Sequence, residues 1–224
     1  EFVGLVNTDP ISVPIRGNTP DDLKERYYNP SSAESPAGTR VNLIKDFEKR
    51  IPVNKVKKSN GEFYNDAEIG TCIHEIFCVY RKDSENNIDT AVRVLQSRLM
   101  RSVFPEPGRI IESADNLFGL LEDKYGKPTK IHRELPVQYL DSDGSIIRGT
   151  CALVWETETG YILVDYKTFQ GGIKQIISLE DKHYAGIYAG QLDAYSKILE
   201  KTGKKVTAKL IYYTVSGYLI KLEN

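Results

Sequence analysis

An acid and an amine stand two residues apart near the end of an apolar segment, Val164-Asp165-Tyr166-Lys167. If this segment is a strand, Asp165 and Lys167 project from the same face, because side chains alternate along a strand. The carboxylate could hold a hard cation such as Mg²⁺. The ammonium could orient a water molecule or neutralise charge that develops on a phosphate oxygen. Taken alone, the spacing favours a simple same-face ion pair over a catalytic pair.

Two predicted helices carry further polar residues that could reach such a site. His74 lies among apolar residues of a helix predicted over 69–80, one step off its buried stripe. A lone histidine there is more often a satisfied core residue than a metal ligand. Gln191 and Tyr195 share the tyrosine-rich face of a later helix. An amide on that face needs a partner, but a plain tyrosine-rich core stripe explains the pattern equally well.

The elements that would position these residues change period along the chain. Helical spacing predicts helices over 41–51, 69–80, 89–100, 113–124 and 182–202. Alternation predicts strands over 131–140, 146–155, 161–168, 206–215 and 218–222. Short polar turns, at 141–144 and 156–160, would join the first three strands into an antiparallel meander. This order predicts an α/β (α+β) fold with a central mixed sheet flanked by helices.

The domain organisation predicted from the sequence is simple. Residues 1–36, punctuated by five prolines, predict an irregular N-terminal arm, and residues 37–224 predict a single domain. Within the arm, Asn29-Pro30-Ser31-Ser32 is typical of a turn or a helix cap. Because the chain begins at Glu1 and its only methionine is Met100, we expect a piece cut from a longer protein.

Composition excludes several classes of protein. A net charge of −1 over 224 residues excludes a generally basic nucleic-acid coat protein, but not a local basic groove. The basic run from Lys49 to Lys58 is typical of a solvated turn, with a phosphate contact as the less favoured interpretation. The chain lacks a signal peptide and an apolar run near the roughly 18 residues of a membrane span.

The cysteines and the missing motifs narrow the chemistry further. Cys72, Cys78 and Cys151 are odd in number and lack CxxC spacing, which argues against a disulfide framework and a structural zinc site. Reduced thiols fit the cytoplasm. The GxxxxGK[ST], GxSxG, HExxH and GxGxxG motifs are all absent, so we expect no nucleotide-driven motor in this chain.

In their order, these pieces resemble the RecB-like nucleases of the PD-(D/E)XK superfamily. The likeness is closest to the C-terminal nuclease module of AddA- and RecB-type (UvrD-like) helicase–nucleases, and it covers roughly residues 28–222. The matching stretches are Asn29-Pro30-Ser31-Ser32, Gly70-Thr71-Cys72-Ile73-His74, Arg133-Glu134-Leu135-Pro136, Gly149-Thr150-Cys151-Ala152-Leu153-Val154, Val164-Asp165-Tyr166-Lys167-Thr168, and Tyr188 with Gln191 to Tyr195. As a set, the D-Y-K-T piece followed by Q-x-x-x-Y is fairly specific.

The resemblance implies a restriction-endonuclease-like core and a DNA nuclease that depends on Mg²⁺ or Mn²⁺. The metal ligands that it implies are His74, Asp165 and the backbone carbonyl of Tyr166. Lys167 matches the catalytic lysine of the family. Gln191 and Tyr195 would position the metal-binding side chains or the DNA backbone, and Glu134 matches a position of less certain role.

One position departs from the family pattern. The second strand of the family reads G-x-x-D-L-V, and Ala152 stands here where its metal-ligating aspartate is expected. Cys151 is no simple replacement, because neighbours on a strand point to opposite faces. Since hard cations depend on carboxylate charge, we expect weak metal binding and weak or absent cleavage. The sequence leaves open whether the alanine is natural or engineered.

The expected context is a bacterial, cytoplasmic helicase–nuclease in DNA repair and recombination. Its partners would be single-stranded or unwound DNA and a helicase that lies N-terminal to this segment or binds to it, with no membrane involved. One alternative is a catalytically dead module that binds single-stranded DNA or docks the helicase, through tyrosine stacking and the 49–58 run. The other is a stand-alone phage-type or repair exonuclease.

Overall fold

The computed structural model describes residues 27–140 and 145–223, and a seven-stranded mixed sheet lies at its centre. The strands are β1 (Tyr27–Tyr28), β2 (Arg40–Asp46), β3 (Lys130–Leu140), β4 (Ile146–Glu156), β5 (Tyr161–Lys167), β6 (Val206–Tyr213) and β7 (Tyr218–Glu223). The helices are α1 (Asp66–Val79), α2 (Asn87–Ser97), α3 (Pro107–Tyr125), α4 (Ile173–Ile177) and α5 (Ala189–Glu200). Two short 3-10 helices cover Pro30–Ser32 and Ala185–Tyr188.

The predicted mixed sheet with flanking helices is confirmed, and so is the antiparallel meander β3–β4–β5. The sheet then continues through β6, which runs parallel to β5, to β7 and the edge strand β2. The parallel β5–β6 pair requires a crossover connection, and α5 supplies it. The sequence-predicted turn at 141–144 and residues 1–26 of the predicted arm lie outside the described residues.

The sheet opens beside β4. Strand β3 pairs with one edge of β4 over nearly its whole length. On the other edge, β5 pairs with residues 153–156 of β4 and β1 pairs with residues 146–147. Among the described residues, the stretch of β4 from 148 to 152 therefore has no strand partner on that edge. This gap gives side chains from both layers access to the same cavity.

Helices cover both faces of the sheet, and each layer has its own buried core. The first core packs α1, α2 and α3 against one face, with Phe77, Phe118 and Trp155 among its largest members. The second core packs α5 against the other face, around Leu192 and Ile211. Because both faces of β5 are covered, this strand is apolar almost throughout and its polar residues stand out at its end.

Helix α1, which carries His74, begins at a reciprocal cap. The Asn65 side chain accepts a hydrogen bond from the Glu68 backbone N–H, and the Glu68 carboxylate accepts one from the Asn65 backbone N–H. This capping box satisfies two backbone donors that the first turn of a helix would otherwise leave unpaired. The start of α1, and with it the height of His74 above the sheet, is thus determined by local sequence.

Two sequence-predicted helices differ in the structure. The helix predicted over 41–51 is wrong, because residues 40–46 form the edge strand β2 and pair with β7. Pairing with β7 supplies backbone hydrogen bonds that outweigh the weak helical spacing of this segment. The helix predicted over 182–202 begins only at Ala189, after a 3-10 turn. Gly190 lies against the Ala33 and Glu34 carbonyls, so closely that an added Cβ would meet both within 2.6 Å.

Candidate active site

A cavity of about 730 Å³ lies beside the unpaired stretch of β4. Every site residue predicted from the sequence lines this cavity: His74, Glu134, Ala152, Asp165, Tyr166, Lys167, Gln191 and Tyr195. They come from α1, β3, β4, β5 and α5, so the fold gathers residues that lie up to 121 positions apart in the chain. The predicted convergence of His74, the Ala152 position, Asp165 and Lys167 is confirmed as geometry. The roles of these residues stay predictions.

The end of β5 presents an acid and an amine on one face of the strand. The Asp165 Oδ2 atom lies 2.6 Å from the Lys167 Nζ atom. Asp165 is only 7% exposed, and its buried Oδ2 makes an ion pair but no well-directed hydrogen bond. Lys167 Nζ also lies 4.2 Å from the centre of the Tyr188 ring. The ammonium is thus held between a carboxylate and an aromatic face at the cavity wall.

A second ion pair lies across the cavity, between α1 and β3. The His74 Nδ1 atom lies 2.9 Å from Glu134 Oε1, and the His74 Nε2 atom lies 3.4 Å from the backbone oxygen of Tyr166. The Tyr166 ring packs edge-on against the imidazole at 5.2 Å between ring centres. Both nitrogens of the ring are therefore placed by neighbours, and the ring has little freedom to turn.

These contacts define what His74 offers to the cavity. An ionised carboxylate only accepts hydrogen bonds, so Nδ1 carries the proton of the contact with Glu134. In the neutral imidazole Nε2 then has a lone pair, and that lone pair faces the carbonyl oxygen of Tyr166. Two acceptors at 3.4 Å do not stabilise each other, whereas a cation between them would bind to both. A carboxylate behind a metal-binding histidine is a common arrangement that fixes the tautomer of the ring.

Glu134 reaches His74 through an unusual backbone conformation. Its φ is +46°, in the left-handed region that residues other than glycine rarely adopt. Arg133 pairs with Leu153 and Leu135 pairs with Cys151, so Glu134 stands across the β3–β4 ladder from Ala152. The Glu134–Ala152 pair itself is skipped by the ladder. Such outliers persist where the surrounding structure requires them, often at functional sites.

The cavity wall at Ala152 has room for a larger side chain but carries no charge. Ala152 is 5% exposed and lines the cavity, whereas its neighbour Cys151 is buried in the α5 core. Burial raises the pKa of the Cys151 thiol well above its ordinary value, with smaller contributions from Asp165 and Glu134. Cys151 therefore stays a neutral thiol, and it does not replace the expected aspartate.

Helix α5 and the 27–32 segment close the cavity on its far side. The Gln191 amide donates to the Ser31 hydroxyl at 3.3 Å and to the Tyr195 hydroxyl at 3.5 Å. Burial raises the pKa of the Tyr195 phenol, against smaller opposite effects of Gln191 and the Thr150 backbone. A Cβ added at Gly149 would lie 2.7 Å from the Tyr195 hydroxyl, so glycine is needed for this approach.

The donors in the cavity suit a hard cation in kind, but they fall one carboxylate short. His74 Nε2 and the Tyr166 carbonyl oxygen face each other, and the buried Asp165 carboxylate lines the same space. Among the residues that the structure describes, no three His, Cys, Asp or Glu side chains come together as a metal-binding group. An aspartate at position 152 would add the missing oxygen donor.

Some residues at the cavity escaped prediction, and one predicted contact does not form there. Arg148 lines the cavity and was missed, because nothing in its local pattern marks it. The basic run at 49–58 lies elsewhere and is largely paired: Lys49 with Glu112, Arg50 with Asp46, and Lys58 with Glu68. The predicted cap at Asn29 is confirmed, since its side chain accepts from the Ser31 backbone N–H.

Similarity to known proteins points to one group. A protein of Clostridium novyi, named as the larger-lettered "A" component of an ATP-dependent helicase/nuclease, is 23% identical over 182 residues, which cover 71% of this chain and 14% of that protein. Proteins of the same name from Lactobacillus delbrueckii subsp. bulgaricus and Clostridium kluyveri are 29% identical over 160 residues and 34% identical over 95. The chain is a distant relative of these helicase/nuclease proteins.

The relationship is partial in two respects. The aligned segments span 7% to 14% of the length of these relatives, so this chain corresponds to a small part of each. No protein-family model matches the chain. In the described part of the chain, none of the helices has the length and apolar character needed to cross a membrane.

Proposed function

We propose that this chain is a RecB-like nuclease module of the PD-(D/E)XK superfamily that hydrolyses DNA phosphodiester bonds with Mg²⁺ or Mn²⁺. The observation that carries the proposal is the single cavity shared by His74, Tyr166, Asp165 and Lys167. Ala152, in the same wall, is the reason to expect weak or absent cleavage by the chain as it stands. A restriction-endonuclease-like core agrees with the mixed sheet and its flanking helices.

Each polar group of the cavity has a task in such a reaction. His74, the Tyr166 carbonyl and Asp165 would hold the cation, which supplies positive charge to the phosphate and activates a water for attack. The Lys167 ammonium would contact a phosphate oxygen and stabilise the charge that develops on it. Gln191 would donate hydrogen bonds to the DNA backbone or keep the cavity wall in place.

The biological context follows from the relatives. Their name joins a helicase with a nuclease, and we propose that this chain serves as the nuclease part of such an assembly in bacterial DNA repair and recombination. Its substrate would then be single-stranded DNA or duplex unwound by the helicase. A cytoplasmic location agrees with three free cysteines among the described residues.

The decisive experiment restores the missing carboxylate. Ala152→Asp is expected to create or strongly raise Mg²⁺- or Mn²⁺-dependent cleavage of labelled linear DNA, because it adds a hard oxygen donor to a partly built site. Metal affinity should rise by at least about 10- to 100-fold, the range that even indirect changes at metal sites produce. Metal binding is measured separately, as the rise in melting temperature with Mn²⁺ concentration.

Matched variants separate the possible causes. Ala152→Asn has nearly the same shape without the charge, so it should bind metal far more weakly than Ala152→Asp. Adding Lys167→Ala to Ala152→Asp should abolish the gain in cleavage and leave metal binding largely intact. If Ala152→Asp neither binds metal nor cleaves single- or double-stranded DNA, even with the helicase portion of a relative added back, the nuclease proposal is wrong.

A DNA-binding module without catalysis is the second candidate, and two observations favour it. Ala152 removes a ligand, and Arg148 lines the same cavity without an ion pair to any described residue. Since the net charge is only −1, affinity for DNA would come from this local patch and should fall steeply with salt. Titrating labelled single-stranded DNA at low and moderate salt tests this. Absence of binding at low salt would remove the second candidate.

A further inference from the structure

Arg133, the residue before Glu134 on β3, has an unusual environment. Its side chain is half-buried, and its guanidinium lies 5.1 Å from the centre of the Phe118 ring. Its Nε atom is fully buried without a hydrogen-bond partner, and no carboxylate of the described residues forms an ion pair with it. An arginine keeps its charge at any physiological pH. A half-buried cation without a partner costs stability, so its presence calls for an explanation.

The groups around Arg133 do not neutralise it. Burial lowers the pKa of the Arg133 guanidinium, and the nearby positive charge of Arg81 lowers it further. The other groups acting on it belong to Tyr166, Cys78 and Tyr80, which are neutral at physiological pH. A carboxylate does lie close to Tyr80, but Asp115 is engaged there by the Tyr80 hydroxyl. Two guanidinium groups thus approach each other with no acid between them.

Arg81 is anchored so that part of its guanidinium remains available. Its Nη1 atom donates to the carbonyl oxygens of Cys78 at 3.0 Å and of Tyr80 at 2.8 Å, at the C-terminal end of α1. These carbonyls are the ones that a helix end leaves unpaired, so Arg81 also caps α1. The side chain is exposed, and no described carboxylate pairs with it. Its remaining nitrogens are free to donate to an incoming anion.

The two arginines lie along the same groove as the candidate active site. His74, Cys78 and Arg81 follow one another at four and three residues, and therefore lie on one side of α1. At a rise of about 1.5 Å per residue, Arg81 is about 10 Å from His74 along the helix direction. Across the groove, β3 presents Glu134 to His74 and Arg133 to the Cys78–Arg81 end. On duplex DNA, about 10 Å corresponds to three nucleotides of one strand.

We propose that Arg133 and Arg81 form a second phosphate-binding site, which holds the DNA backbone about two or three nucleotides from the phosphate in the cavity. The inference rests on the proposed function, since it takes the cavity as the place of the reacting phosphate. A phosphate supplies the acceptors that both guanidinium groups lack, and a planar guanidinium contacts it through two parallel hydrogen bonds. Phe118 and the α1 C-terminus hold the two side chains in place beforehand.

The test compares DNA binding and stability in matched variants. Arg133→Met keeps the length of the side chain and removes the charge, and Arg93→Met makes the same change at an exposed position on α2. For Arg133→Met we expect about tenfold weaker binding of a labelled 12-nucleotide single strand, the effect of one charged hydrogen-bonded contact. The slope of log affinity against log salt should fall by about 0.7, as for one phosphate contact on a single strand. Arg93→Met should change neither.

A merely structural arginine predicts the opposite pattern. Removing the unpaired buried charge should leave the melting temperature of the free protein unchanged or higher, whereas loss of a structural contact would lower it. If Arg133→Met fails to fold, Arg81→Gln provides an independent test, because glutamine still donates to the α1 carbonyls but has no charge. It should weaken binding two- to threefold. If both variants bind DNA as Arg93→Met does, the phosphate site does not exist, including the case in which a partner protein's carboxylate occupies it.

Two further outcomes keep this inference separate from the nuclease proposal. If Ala152→Asp cleaves DNA but Arg133→Met and Arg81→Gln leave binding unchanged, the second site is wrong and the nuclease proposal stands. If Ala152→Asp is inert but both arginine variants weaken binding, the nuclease proposal fails alone. Inorganic phosphate is titrated in parallel by melting temperature. A response to free phosphate without an effect on oligonucleotide binding would overturn the proposed DNA contact.

Discussion

The molecule contains two histidine–glutamate pairs with the same contact distance and different surroundings. His74 Nδ1 lies 2.9 Å from Glu134, and His132 Nε2 lies 2.9 Å from Glu156. Glu156 is shared with Lys204, so its charge is neutralised twice. Glu134 has only His74 as a partner among the described residues, and the ring nitrogen on the other side faces the cavity. The contact alone therefore does not distinguish a functional pair from a structural pair.

The backbone separates the two pairs as clearly as the charges do. Glu156 belongs to a regular ladder, paired with Lys130 on one side and Tyr161 on the other. Glu134 has a φ of +46° and interrupts the ladder that surrounds it. A regular strand favours the first arrangement, whereas the second costs on the order of 1–3 kcal/mol of backbone strain. We infer that the contact with His74 is retained for what it does in the cavity, not for stability.

Replacing the two histidines should give the largest contrast. In the Ala152→Asp background, His74→Gln is expected to reduce Mn²⁺-dependent cleavage by at least about 100-fold, because it removes a direct ligand. His132→Gln should leave the rate within about twofold. Initial rates on labelled linear DNA at saturating Mn²⁺ measure both. Equal losses in the two variants would mean that His74 has no special role.

Replacing the two glutamates should give a smaller contrast, seen in metal affinity. Glu134→Gln is expected to weaken Mn²⁺ binding about 10- to 100-fold, since the amide no longer supplies the charge that raises the basicity of His74. Glu156→Gln removes the same group from the structural pair and should leave Mn²⁺ affinity unchanged. Melting temperatures over a Mn²⁺ titration report affinity without depending on cleavage. If Glu134→Gln binds Mn²⁺ as tightly as Glu156→Gln does, Glu134 is not a positioning residue.

The sequence is most informative where the relevant residues are neighbours in the chain. The spacing of Asp165 and Lys167 predicts one shared face of a strand, and their ion pair agrees with it. The helical spacing around His74 predicts α1 within three residues at its N-terminal end. Local rules suffice in both cases because one element determines the relative positions of the side chains.

Contacts that depend on strand register or on distant packing are beyond sequence reasoning. Glu134 lies 60 positions from His74, and its approach depends on a backbone conformation that no local pattern marks. The contact of Gln191 with Ser31 spans 160 positions and requires β1 to join the sheet beside β4. The edge strand β2 has helical spacing, and its pairing partner, β7, lies at the far end of the chain. Long-range pairing decides all three.

The smallest expected effect concerns the stability of the structural pair and its dependence on pH. Burial raises the pKa of Glu156, but hydrogen bonds from Lys204 and His132 outweigh burial and hold the pKa below its ordinary value of 4.5. A carboxyl whose pKa is lower in the folded state stabilises the protein above its unfolded pKa. That stabilisation is lost as the pH falls from about 4.5 through the lower, folded value.

Glu156→Gln should therefore reduce the free energy of unfolding by about 1 kcal/mol at pH 6, the upper end for a partly exposed ion pair. The difference from the unmodified chain should shrink as the pH is lowered toward 3, because the native carboxyl becomes protonated and loses the same attraction. Urea unfolding of both proteins at pH 6, 4.5 and 3 measures this, with Glu134→Gln as the matched comparison. A difference that stays constant over this range would show that Glu156 stabilises the fold through packing, and the contrast between the two pairs would then rest on the cavity alone.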